Sequence, residues 1–166
     1  NVTIGQKLAA TGAGISQSGT LQVTGLADLD STGAVVLVGV DAGELKAKAG
    51  STLDMASATV AGHAVLEAAN NITLAGLRAG SVVASGAGIT QTGTLSIIGT
   101  ADLDSTGAMT LVGVTAGTLA ATAGDILQMV GADVTGAATL RSSAGMTLRD
   151  VDAGSLSAIA GGPLQV

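Results

Sequence analysis

Apolar and polar residues alternate along most of this chain in short runs, each opened by a glycine. Gly43 is followed two and four residues later by Leu45 and Ala47, Gly62 by Ala64 and Leu66, Gly117 by Leu119 and Ala121, and Gly136 by Ala138 and Leu140. This is the period of two of a β-strand with one buried face. The residues in between, such as Lys46, Val65, Ala120 and Thr139, are expected to face water.

The glycines keep a strict beat. They stand at positions 25, 43, 62, 80, 99, 117, 136 and 154, with spacings that alternate between 18 and 19. Longer repeats enclose this unit. The segment Ala13–Met55 reappears as Ala87–Met129, with ADLDSTGA at Ala27–Ala34 recurring unchanged at Ala101–Ala108 and LVGV at Leu37–Val40 recurring at Leu111–Val114. Halfway between lies a period of 37, seen in Leu37, Leu74, Leu111 and Leu148.

A unit this short cannot hold a pair of helices, and glycine with β-branched residues disfavours helix throughout. It suits one turn of a parallel β-helix, in which equivalent residues of successive coils stack about 4.8 Å apart. The expected fold is all-β: a single solenoid domain over residues 1–166, about nine coils of 18 to 19 residues and roughly 40 Å long. The preference for right-handed crossovers between parallel strands makes a right-handed coil the expectation. A β-sandwich would not keep one glycine in step eight times, and the GGxGxDxUx nonapeptides of a calcium β-roll do not occur. Along the inward column large and small residues swap between layers: Leu45, then Ala64, then Val82, then Ala101.

Composition fits a narrow core. The chain has no Phe, Trp, Tyr or Cys, one His, one Pro and 26 Gly, with 11% charged and 47% hydrophobic residues. Without cysteine there is no disulfide framework or thiolate metal site. The apolar content argues against disorder. A net charge of -6, six Lys and Arg and no aromatic ring speak against nucleic acid and against membrane insertion. The uncharged stretches are broken by Ser, Thr, Gly and Gln every few residues, so they do not read as membrane spans. The chain opens on Asn1, which suggests an internal or mature segment of a longer fibre.

DAGELKAKAG at Asp41–Gly50 and TAGTLAATAG at Thr115–Gly124, with GA and GT corners in units of about 19 residues, resemble the central repeats of the filamentous haemagglutinin-like exoproteins of Gram-negative two-partner secretion systems. The resemblance implies a secreted or cell-surface right-handed β-helical fibre that passes an outer-membrane transporter and serves as an adhesin or carries a toxin tip. The family's amino-terminal secretion domain is not in this sequence, nor is a toxin domain; the resemblance is to shaft.

Candidate chemistry is sparse. Asp28, Asp30, Thr32 and Gly33, repeated as Asp102, Asp104, Thr106 and Gly107, imitate the first half of a calcium loop, but Gly39 and Gly113 stand where the bidentate Glu should be. These residues therefore fit a solvated Asp-Ser-Thr-Gly corner, and no metal is expected. Asn70 and Asn71 also fit a corner, where left-handed backbone is tolerated. His63 has no partner at ligand spacing, and its counterparts are Thr100 and Ala137. Gln17 and Gln91 interrupt what would be G-x-G-x-x-G phosphate loops, and no G-x-S-x-G elbow occurs. Asp41, Arg78, Thr115 and Asp152 should stack at alternate coils, about 10 Å apart, too far for direct pairing.

No catalytic residue and no cofactor follow from this, and the chain is not expected to be an enzyme. The favoured expectation is a structural shaft that projects a tip from the cell, the parent protein meeting the host cell surface or a glycan. The alternative is that this segment is itself an adhesive surface for host glycans or a partner fibre. Its candidate residues are Asp41, Glu44, Lys46 and Lys48, whose counterparts Thr115, Thr118, Ala120 and Thr122 carry no charge. Open strand edges at both ends invite end-to-end self-association.

Overall fold

The computed structural model describes residues 1–166. Its strands in chain order are β1 (Val2–Ile4), β2 (Leu8–Gly12), β3 (Ile15–Gln17), β4 (Leu21–Ser31), β5 (Val35–Val38), β6 (Val40–Ala49), β7 (Leu53–Ala68), β8 (Asn71–Gly86), β9 (Gly88–Gln91), β10 (Leu95–Ser105), β11 (Met109–Ala123), β12 (Leu127–Ser142), β13 (Met146–Ala160) and β14 (Leu164–Gln165). All belong to one sheet, and every pairing is parallel and joins residues about one coil apart, as Leu53 with Ile72 and Leu95 with Val114. The chain is a β-solenoid of about 9 turns with ~19 residues per turn.

Each coil has three faces. In the coil from Val35 to Ala49, the inward residues are Val35 and Leu37 on the first face, Val40 and Ala42 on the second, and Leu45, Ala47 and Ala49 on the third, all buried. The long strands β7, β8, β11, β12 and β13 run through the corners between faces. Ladder hydrogen bonds hold the stack, with 101 of 125 backbone bonds inside strands; each closed coil therefore satisfies its backbone on the coils above and below.

The third face is packed as a checkerboard. From one coil to the next its first inward column runs Ala27, Leu45, Ala64, Val82, Ala101, Leu119, Ala138, while the second runs Leu29, Ala47, Leu66, Ala84, Leu103, Ala121, Leu140. All fourteen are buried. Every coil thus carries one large and one small residue here, in opposite order to its neighbours, so volume is constant and layers interlock. The second face partly repeats the device, with Val23, Ala42, Val60, Ala79, Ile97, Ala116 and Val134 in one column.

The glycine beat has a steric cause. These residues sit at the corner between second and third faces, where each coil rests on the backbone of the coil below. A Cβ on Gly117 would lie 2.6 Å from the Ile98 carbonyl oxygen and 2.8 Å from that of Gly99. The alternation of 18 and 19 arises at the same corner. Alternate coils insert one extra exposed residue before the glycine, namely Thr24, Ala61, Ile98 and Thr135, and the ladder shifts register there.

Left-handed backbone belongs to another corner, between the first and second faces. Gly39, Gly76, Gly113 and Gly131 have positive φ, and so do the non-glycines Ser57 (φ 58) and Asp150 (φ 52). Asn70 and Asn71 do lie at a corner, yet neither adopts positive φ; Asn70 Nδ2 instead donates to Ser51 Oγ at 3.4 Å on the adjacent coil.

Gln91 is a buried polar residue beside Leu74, in the inward column that Gln17 begins. β9 ends at Gln91, and its side chain substitutes for the missing ladder: Nε2 donates to the Gly93 carbonyl and Oε1 accepts from Val112 N at 2.7 Å. Gln17 does the same at the end of β3, donating to Gly19 O at 2.6 Å and accepting from Val38 N at 2.9 Å. The two glutamines that interrupt the glycine loops are thus corner staples. Replacing Gln91 by Leu orphans the Val112 amide and the Gly93 carbonyl, and should cost about 1–3 kcal/mol in denaturant unfolding; Gln17→Leu, nearer the solenoid end and partly exposed, should cost less.

Candidate functional site

Outward residues form columns as regular as the inward ones, and any site must be assembled from neighbours along a column. The four charges singled out from the sequence lie on β6, and all are exposed. The solenoid divides them. Asp41 projects from the second face, where Gln22 Nε2 donates to its Oδ2 at 3.4 Å. Glu44 occupies the glycine corner beside Leu26. Lys46 and Lys48 stand on the third face.

The lysines acquire closer partners than the sequence cluster suggests. Lys46 is in register with Asp28 on one side and Val65 on the other, and Lys48 lies between Asp30 and Glu67. Lys7 extends the ladder, its Nζ 3.4 Å from Asp28 Oδ2, with the side chains 56% and 32% exposed. Opposite charges alternate from coil to coil, which favours pairing of neighbouring strands. These residues are about one coil apart in sequence, and only the coil period reveals them as neighbours.

The expectation of a four-residue Asp-Ser-Thr-Gly corner is corrected by this placement. Asp28 and Asp30 lie on the straight run of β4, flanking a lysine-bearing strand, while only Thr32 and Gly33 form the turn. Ser31 points inward between them, its Oγ accepting from Gly33 N at 3.1 Å and donating to Ala34 O at 3.2 Å. Ser105 and Ser142 are buried at equivalent corners and donate to turn carbonyls in the same way. Asp102 and Asp104 have Val83 and Ser85 on one side and Ala120 and Thr122 on the other. No group of three or more His, Asp or Glu side chains converges on a point.

His63 sits at the glycine corner, with Nδ1 2.6 Å from Ser81 Oγ on the next coil. Thr118 Oγ1 donates to Thr100 Oγ1 at 3.0 Å further along the same column. The column, which also holds Leu26, Glu44 and Ala137, carries hydroxyls at Ser81, Thr100, Thr118 and Ser155, and His63 joins that run through Ser81.

The second face carries one outward residue per coil: Gln22, Asp41, Thr59, Arg78, Ser96, Thr115, Asp133 and Asp152. Arg78 stands near the middle, beside an open groove of about 390 Å³ over Gly76, lined also by Ser57, Thr59, Thr94 and Ser96. No carboxylate lies within 4 Å of its guanidinium, the Lys7–Asp28 pair being the one salt bridge of the structure. The expected stack of Asp41, Arg78, Thr115 and Asp152 is present, with Thr59, Ser96 and Asp133 between its members.

Residues 1–42, 75–114 and 106–160 match a family model described as "Repeats of unknown function (DUF5649)". No curated protein and no solved structure matches the chain.

Reversing Lys46 and Lys48 to Glu would line up like charges on three consecutive coils. The double variant should unfold about 1 kcal/mol more easily at low ionic strength, with the loss shrinking in 1 M salt. Ala120→Glu with Thr122→Glu, beside Asp102 and Asp104, should reproduce the effect; equal losses at both salt concentrations would contradict the charge-ladder account.

Proposed function

We propose that this chain, which belongs to the DUF5649 family of repeats, is a length of the structural shaft of a secreted or surface-exposed bacterial filamentous protein of the haemagglutinin-like, two-partner-secretion kind. It would be a non-enzymatic spacer whose coils hold an adhesive or toxic tip away from the cell. The observation that carries the reading is the contrast between the two sides of one strand run. On the third face the inward columns keep their large–small order over seven coils, whereas the outward column beside them runs Asp28, Lys46, Val65, Val83, Asp102, Ala120, Thr139. Packing is held constant while surface chemistry wanders, which suits a rod whose stiffness matters more than its contacts. Export through an outer-membrane transporter belongs to the same proposal and rests on the repeat resemblance.

A second reading makes this segment itself the adhesive surface for host glycans or a partner fibre, and the local charge on β6 favours it. The two readings separate in one assay. The purified chain is titrated onto host cells and a glycan panel beside a variant with Asp41, Glu44, Lys46 and Lys48 changed to Ser. The shaft reading expects no saturable binding by either protein; saturable binding lost in the variant would establish the adhesive reading in its place.

A further inference from the structure

Ile98 breaks the outward pattern. At 83% exposure it is the most exposed large hydrophobic residue away from the chain ends, and its counterparts in the other long corners are Thr24, Ala61 and Thr135. A shallow groove lies on each side of it. One is lined with Thr59, Arg78 and Ser96, the other with Ser96, Thr115, Gly117 and Thr135. Both include outward residues of the second face, so the isoleucine is a knob on the border of that face. The hole beside it is fixed, because the coil above has no extra corner residue and Gly117 cannot accept a Cβ against the Ile98 carbonyl.

Knob, hole and charges are related by a simple symmetry. Ser96 and Thr115 are adjacent in the column, Arg78 is one coil below Ser96, and Asp133 is one coil above Thr115. A two-fold axis lying across the face midway between Ser96 and Thr115 therefore superposes coil order on its reverse. It sets Ser96 of one copy against Thr115 of the other, Arg78 against Asp133 twice, and Ile98 against the hole over Gly117 twice. Closed two-fold contacts require such self-complementarity.

We propose that the second face is a lateral docking surface for a second copy of this chain, packed antiparallel about this axis. Charge complementarity and shape name the same occupant independently. Arg78, which has no carboxylate partner within its own chain, gains Asp133 of the other copy, and the exposed Ile98 side chain is covered. About this axis the shared strip runs from Thr59 to Asp152, six coils or roughly 25 Å, and is one outward residue wide, so the contact falls in the size class of transient interfaces. The inference goes beyond the shaft reading and does not depend on it, since a surface that binds glycans could pair in the same way.

Sedimentation equilibrium across a wide concentration range tests it. The expected result is a dimer as the first associated species, weakening with salt. Arg78→Asp and Asp133→Arg should each weaken dimerisation about tenfold, since each turns two attractions into two repulsions. The double exchange R78D/D133R should restore it, and Ile98→Thr, which installs the residue found at two of the other long corners, should weaken it without altering the circular dichroism spectrum. A monomer throughout, or self-association indifferent to both charge reversals and to Ile98→Thr, would each overturn the proposal.

Discussion

Successive coils of this solenoid stand about 4.8 Å apart, the spacing of hydrogen-bonded strands, so each inward side chain rests directly on its counterparts in the coils above and below. On the first face large residues do stack on one another from coil to coil, as Leu53, Ile72, Ile89 and Met109; on the third face two leucines in every coil would overfill the interior, and two alanines would leave a void. The chain resolves this by alternation: Leu45 over Ala64 and Ala47 over Leu66, then Ala64 over Val82 and Leu66 over Ala84. On this face the two-coil period of the packing appears as a two-coil period in the sequence. The absence of aromatic rings fits the same narrow interior.

The corners obey the core. Each coil must begin its third face directly above the coil below, so the corner glycine lies against backbone carbonyls, closely enough at Gly117 and Gly136 to exclude a Cβ and less tightly at Gly62 and Gly99. Slack is taken up by one extra residue in alternate coils. That residue has no packing role, which leaves it free to be Thr24, Ala61, Ile98 or Thr135, and it is here that the surface departs furthest from its repeat. Where a strand stops short, a glutamine amide completes the ladder from within the column. Stability is therefore local and additive, each coil holding its neighbours.

Much of this was legible before any coordinates. Period-two alternation and the eight evenly spaced glycines are short-range signals, and they define the parallel solenoid, its coil length and the Leu45–Ala64–Val82–Ala101 order. What the sequence did not disclose depends on the exact coil-to-coil register. Asp28 and Asp30 look like half a metal loop until Lys46 and Lys48 are set beside them. Gln17 and Gln91 look like failed phosphate loops, because a side chain replacing a backbone partner leaves no periodic trace. The left-handed corner at Gly39, Ser57 and Gly76 was hidden because serine shares the position with glycine. Arg78 was noted only as one member of a polar column, and Ile98 lies in an apolar pair, Ile97–Ile98, whose two members face opposite ways.

The alternation itself can be tested without changing composition. Ala64→Leu with Leu66→Ala conserves the volume of one coil while reversing its order. The exchange sets a leucine between Leu45 and Val82 in one column and leaves an alanine between Ala47 and Ala84 in the other. Denaturant unfolding of this double variant is the most direct measurement. If layer order holds the stack, the exchange should cost at least about 3 kcal/mol, a clash and a cavity together; stability equal to that of the parent chain would show that the core needs only the right volume, and the account would fail.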